Sequence, residues 1–163
     1  LPNLLIVYHS LTGGTAQMVE AAAAGARSAA DVALRVRRAA DARAEDVLAA
    51  DAYVFATPEN LAAMSGQLKD FFDRTYYAAL DRIPGRPYAL LVCAGSDGTN
   101  AVRQIERILT GWRLRAVSDA LIVCTHAQTP EKILLPKRIA PESLQRCREL
   151  GATLAAGLAL GIF

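Results

Sequence analysis

The stretch Leu4-Leu5-Ile6-Val7-Tyr8-His9-Ser10-Leu11-Thr12-Gly13-Gly14-Thr15 constrains this chain more than any other. Five apolar residues run directly into hydroxyls and glycines, and an alanine-rich helical segment follows from about Ala16 to Ala30. An apolar run closed by turn residues reads as a buried parallel strand, then a tight turn and a helix start. Such a turn offers main-chain N–H groups to an anion, and the helix dipole adds partial positive charge. Ser10, Thr12 and Thr15 add hydroxyls, while Gly13 and Gly14 permit positive φ and a close backbone approach. The turn reads as a seat for a phosphate monoester, set against the plainer reading of a capped helix start. It is not a Walker loop, because no Lys-Ser/Thr pair follows the glycines, and it lacks the G-x-G-x-x-G of dinucleotide sites.

The strand–helix unit recurs along the chain. Further strands are expected at Val32–Val36, at Asp51–Thr57 with Pro58 ending it, at Tyr88–Ala94, and within Val117–Thr125. Helices are expected at about Thr15–Ser28, Arg43–Leu48, Gly66–Leu80, Asn100–Thr110 and Pro141–Leu160, with His126–Ala140 irregular. Leu68, Phe71, Phe72, Thr75 and Tyr76 fall at helical spacing and should face the core. Such alternation means a parallel sheet covered on both faces, as a single domain over residues 1–163. In such sheets ligands bind outside the carboxyl ends of the strands, at the topological switch point. Three expected strand ends there carry small or polar loops: Ser10–Thr15, Glu59–Ser65 and Gly95–Gly98.

Composition narrows the function classes. Apolar residues make up 53% of the chain and charged ones 21%, which is globular rather than disordered. The net charge of +2 is scattered, so no nucleic-acid footprint stands out. Arg35, Arg37, Arg38 and Arg43 read as a solvated strand end. Cys93, Cys124 and Cys147 lack metal-site spacing and read as buried free thiols, and two histidines, His9 and His126, do not make a metal centre. No apolar run is long enough to span a bilayer and no cleavable signal is visible, so a cytoplasmic protein is the expectation.

The loop residues also carry a family resemblance. Tyr8-His9-Ser10-Leu11-Thr12-Gly13-Gly14-Thr15 resembles the FMN-phosphate loop of the flavodoxin-like superfamily. Ala56-Thr57-Pro58-Glu59-Asn60, followed by Met64-Ser65-Gly66-Gln67-Leu68-Lys69-Asp70-Phe71-Phe72-Asp73, resembles its NAD(P)H:quinone oxidoreductase and NADPH-dependent FMN reductase branch. Ala94-Gly95-Ser96-Asp97-Gly98 stands where the third flavin loop should be. The resemblance implies an α/β flavodoxin-like three-layer sandwich, with a five-stranded parallel sheet of order 2-1-3-4-5, and noncovalent FMN. It implies that Ser10, Leu11, Thr12, Gly13, Gly14 and Thr15 wrap the phosphate. Pro58, Glu59, Asn60 and Leu61 should line the isoalloxazine ring, and Ala94, Gly95, Ser96 and Asp97 should close its other side.

Neither ring loop carries a Tyr or Trp, and the chain is not acidic, unlike the usual electron-transfer flavodoxin. The implied function is an oxidoreductase passing electrons from NAD(P)H through FMN to a quinone or flavin acceptor, with no catalytic side chain because the cofactor carries the chemistry. A flavodoxin-type electron carrier without its own NAD(P)H-dependent activity is the alternative, and a flavin-free binding protein a third. Asp97 would oppose negative charge on reduced flavin unless it points to solvent or caps the following helix. His126 is a candidate proton donor to a quinone or simply an exposed histidine. The apolar C-terminal tail, Leu154–Phe163, and Trp112 either cover a contact in a homo-oligomer or lie buried within one chain.

Overall fold

The computed structural model describes residues 1–163. Its elements are β1 (Asn3–Tyr8), α1 (Gly14–Ala26), β2 (Ala33–Arg38), α2 (Ala44–Ala49), β3 (Ala52–Asn60), β4 (Ala63–Met64), α3 (Gly66–Ala79), β5 (Pro87–Ala94), α4 (Thr99–Gly111), β6 (Arg115–Ala116), β7 (Leu121–Cys124), α5 (Pro130–Leu134) and α6 (Pro141–Ala159). The long strands run parallel in the order β2-β1-β3-β5, and β6 and β7 lie end to end along the far side of β5. This is the expected 2-1-3-4-5 arrangement of a three-layer flavodoxin-like sandwich, with the fifth strand in two pieces. The break falls at Ser118–Ala120, between Val117, whose amide still reaches the Tyr88 carbonyl, and Leu121, which pairs with Leu91.

Alternation along the strands builds two cores. Leu4 and Ile6 of β1 with Val54 and Ala56 of β3 meet α1 and α6, while Leu5, Val7, Tyr53 and Phe55 meet α2, α3 and α4. Leu68, Phe71, Phe72 and Thr75 of α3 are buried as their spacing requires. Trp112 lies inside this second core, 1% exposed, stacked on Tyr76 at 5.7 Å and donating through Nε1 to the Tyr76 carbonyl at 2.9 Å. Its place is within the single chain, not at a subunit contact. Of the apolar tail, Leu154 and Ala155 are buried, whereas Leu160 and Ile162 face outward.

On the first face α1 and α6 cross in backbone contact. A side chain at Gly25 would run into the Arg148 carbonyl, and one at Gly151 into the Ala22 carbonyl. Two glycines at one crossing let the helices approach more closely than larger residues allow.

The largest departure from the sequence reading is at Pro58. Strand β3 does not stop there but continues to Asn60 and turns back as β4 in a short antiparallel hairpin, pairing Glu59 with Met64 and Asn60 with Ala63. The missing N–H of proline costs nothing at this point. The Ala56 carbonyl accepts from the His9 amide, so Pro58, two residues on, turns the same edge toward β1 after that strand has ended at Tyr8. The irregular stretch His126–Ala140 contains one short helix, α5, capped by Thr129. No helix is long and apolar enough to cross a membrane, and no cluster of three His, Cys, Asp or Glu side chains could hold a metal ion.

Candidate functional site

At the carboxyl ends of β1, β3 and β5 the three loops converge. The first, Ser10–Gly13, enters α1 through Gly13, whose φ of 93° only glycine adopts freely. Ser10 Oγ accepts from the Ala16 amide at 3.1 Å, satisfying one donor of the helix start. The amides of Leu11 to Thr15 donate to no main-chain carbonyl. Thr15 is 1% exposed, yet its hydroxyl has no hydrogen-bond partner. A buried unpaired hydroxyl costs about 1–3 kcal/mol. Five free amides, an orphaned hydroxyl and the positive end of a 13-residue helix are the donor set a phosphate monoester needs.

The second loop is the β3–β4 hairpin. Its two corner residues, Leu61 and Ala62, hold φ of 52° and 61°, a left-handed turn built without glycine. The hairpin is sewn to α4. Glu59 accepts from the amides of Gly98 at 2.9 Å and Ala101 at 3.2 Å, Gln104 accepts from the Met64 amide at 2.9 Å, and Asn100 donates to the Ala62 carbonyl.

In the third loop, Asp97 accepts from the Thr99 amide at 3.2 Å and its hydroxyl at 2.8 Å. Its charge therefore serves the start of α4, the capping role considered from sequence. The amides of Gly95, Ser96 and Asp97 donate to no main-chain carbonyl.

A cavity of about 330 Å³ opens between the loops. Leu11, Thr12, Gly14, Thr15, Pro58, Glu59, Asn60, Leu61, Ala94 and Gly95 come together in its walls. Ser10, Gly13, Ser96 and Asp97 do not line it but shape the turns beside it. His126 is exposed and faces a neighbouring groove instead. The walls also include Cys93, Thr125, Ala127, Ile133 and Lys137, none of them expected from sequence. Burial pushes the Cys93 thiol up to about 11, with Lys137 drawing it slightly back, so it stays protonated near neutrality.

The segment carrying Lys137 is tied both to the first loop and to α1. The Lys137 amide donates to the Thr12 carbonyl at 2.8 Å. Gln17 donates to the Lys137 carbonyl at 2.7 Å and accepts from the Ile139 amide at 3.0 Å. These partners lie about 120 residues apart in sequence, and no local pattern announces them. The sole hint is a basic pair, Lys137-Arg138, held directly behind Pro136.

Comparisons with known proteins agree with this geometry. The chain is 28% identical to a flavodoxin of Aquifex aeolicus over 97% of its own length and 88% of that protein. It is 34% identical over 95 residues to an NAD(P)H dehydrogenase (quinone) of Acidithiobacillus ferrooxidans, covering 46% of this chain and 48% of that one. A flavodoxin from the domain Archaea shares the fold with a TM-score of 0.78 at 21% identity, over 96% of this chain and 98% of that one. A family model for NADPH-dependent FMN reductases matches residues 31–128, more than half of the chain. With strand order and family model in agreement, the chain belongs to the NADPH-dependent FMN reductase family, flavodoxin-like oxidoreductases that work with FMN and NAD(P)H.

Proposed function

We propose that this chain binds FMN in the three-loop cavity and passes electrons from NAD(P)H to a quinone or a free flavin. The observation that carries the reading is the buried, partnerless Thr15 hydroxyl at a helix start whose amides are also free. In this reading Thr12, Gly13, Gly14 and Thr15 hold the phosphate. Pro58, Glu59, Asn60 and Leu61 stand along one side of the ring. Ala94 and Gly95 stand along the other, and the free amides of Gly95, Ser96 and Asp97 offer donors to an electron-rich ring edge. When bound, FMN supplies the hydride and electron chemistry, so the side chains bind and orient rather than attack. No aromatic residue lines the cavity, which leaves a ring face open to a nicotinamide or an acceptor. The exposed Leu11, Leu61 and Ile133 form an apolar mouth suited to a flat apolar acceptor.

The test is steady-state NAD(P)H oxidation by the FMN-loaded protein with a soluble quinone added. Turnover well above that of the same concentration of free FMN is expected, and a rate no higher than free FMN overturns the enzymatic reading. The nearly full-length match to a flavodoxin supports a second reading, an electron carrier reduced by another protein. A chain that binds FMN, ignores NAD(P)H and is reduced by an added flavodoxin reductase is that carrier.

A further inference from the structure

One cation at the cavity has no counter-charge. The chain forms five ion pairs, and Lys137 belongs to none of them. Its ammonium donates to the carbonyls of Ile133 at 2.6 Å and Leu135 at 2.7 Å. Its third contact is a long one, 3.3 Å to the neutral Thr12 hydroxyl. The two carbonyls fix the group in place. The long contact leaves one donor weakly used, on the side of the first loop. Beyond Thr12 lies the start of α1, the positive end of a helix with no acid in its first turn. Positive charge set beside a positive helix end is unfavourable unless an anion lies between them. Thr15, whose buried hydroxyl has no partner, belongs to the wall of the same cavity.

We propose that Lys137 is the residue by which this site selects a phosphorylated flavin over riboflavin. The inference rests on the FMN reading above. A phosphate in the turn receives the third Lys137 donor in place of Thr12, and the Thr12 hydroxyl is then free to donate to the phosphate as well. The first loop and the first turn of α1 together place the cation, through the Lys137 amide on the Thr12 carbonyl and the Gln17 bridge. Phosphate recognition is therefore shared between main-chain amides at one end of the chain and a single ammonium from the other.

The experiment titrates the full chain with FMN and with riboflavin, following flavin fluorescence, in wild type, Lys137→Met and Lys137→Arg. Lys137→Met is expected to weaken FMN roughly 10- to 100-fold, the value of one charge-assisted hydrogen bond, and to leave riboflavin unchanged. Unchanged riboflavin affinity also reports an intact fold. Lys137→Arg should restore most of the FMN affinity. In wild type, the preference for FMN over riboflavin should fall as KCl rises from about 50 mM to about 500 mM. Equal losses for both flavins, no loss for either, or a salt-independent preference overturns the inference. A wild-type chain that binds neither flavin overturns the FMN reading itself. A wild-type chain that binds FMN beside an indifferent Lys137→Met overturns this inference alone.

Discussion

The carboxylate of Glu59, near the end of β3, lies 2.9 Å from the amide of Gly98 at the start of α4. Its second oxygen takes the Ala101 amide, so one side chain caps a helix and fixes the spacing of two of the three loops. Glu59→Gln keeps the shape but loses the charge at a helix start, and should lower the unfolding free energy by about 1 kcal/mol. Glu59→Ala, which leaves both amides unanswered, should cost about 2 kcal/mol. Urea denaturation measures both, and FMN dissociation should quicken in each. Variants as stable as wild type would mean that water replaces the carboxylate.

Thr15 separates stability from binding. Its hydroxyl is buried without a partner, so Thr15→Val should leave thermal stability unchanged or raise it by up to about 1 kcal/mol. FMN affinity should fall by roughly tenfold in the same variant. Calorimetry and fluorescence titration on one preparation check both, and a loss of stability without a loss of FMN affinity would assign the hydroxyl a structural partner.

The hairpin corner carries backbone strain. Leu61 and Ala62 both sit in the left-handed region, where a non-glycine residue costs roughly 1–2 kcal/mol. Ala62→Gly should stabilise the chain by about 1 kcal/mol, and the pair Leu61→Asn with Ala62→Gly should add to that gain. Leu61 is fully exposed at the cavity mouth, so the double variant should raise the KM for an apolar quinone while Ala62→Gly leaves it unchanged. Unfolding curves and quinone titrations read these effects separately.

His9 and Asp46 set two pH windows. Burial holds the His9 imidazole below its ordinary value, and its Nδ1 has no partner. The folded chain prefers the neutral ring, so the unfolded state binds more protons as the medium acidifies. This contribution is complete above about pH 6.5 and is lost as pH falls through the lower folded value. Asp46 acts further down. Burial pushes its carboxyl up, but the Arg43 amide and the Arg35 and Arg37 guanidiniums outweigh that and hold it below the carboxylate range. Its contribution is present above about pH 4 and lost beneath it. Urea midpoints measured from pH 7 to 3 should show both declines, and His9→Gln should flatten only the upper one.

The fold was legible where period and punctuation are local. The apolar runs at Leu4–Val7 and Tyr88–Ala94, and the spacing of Leu68, Phe71 and Phe72, place strands and helices without reference to anything distant. Pro58 misled because a proline inside a strand depends on which neighbour its edge faces, and that is a property of the assembled sheet. Ten of the expected site residues reach the cavity, since glycines and hydroxyls after a strand advertise their own geometry. Lys137 and Cys93 did not declare themselves. One is delivered by a proline-bounded segment with no period, and the other looks like any apolar strand residue until the loop across from it is in place.

The glycine crossing of α1 and α6 has a consequence for synthesis. The first helix gains its backbone partner, and the turn ahead of it gains Lys137, only after residues 133–151 have left the ribosome. The turn ahead of α1 therefore stays without these partners until that later segment has been made, so the site is assembled from two stretches of chain that are distant in synthesis as well as in sequence.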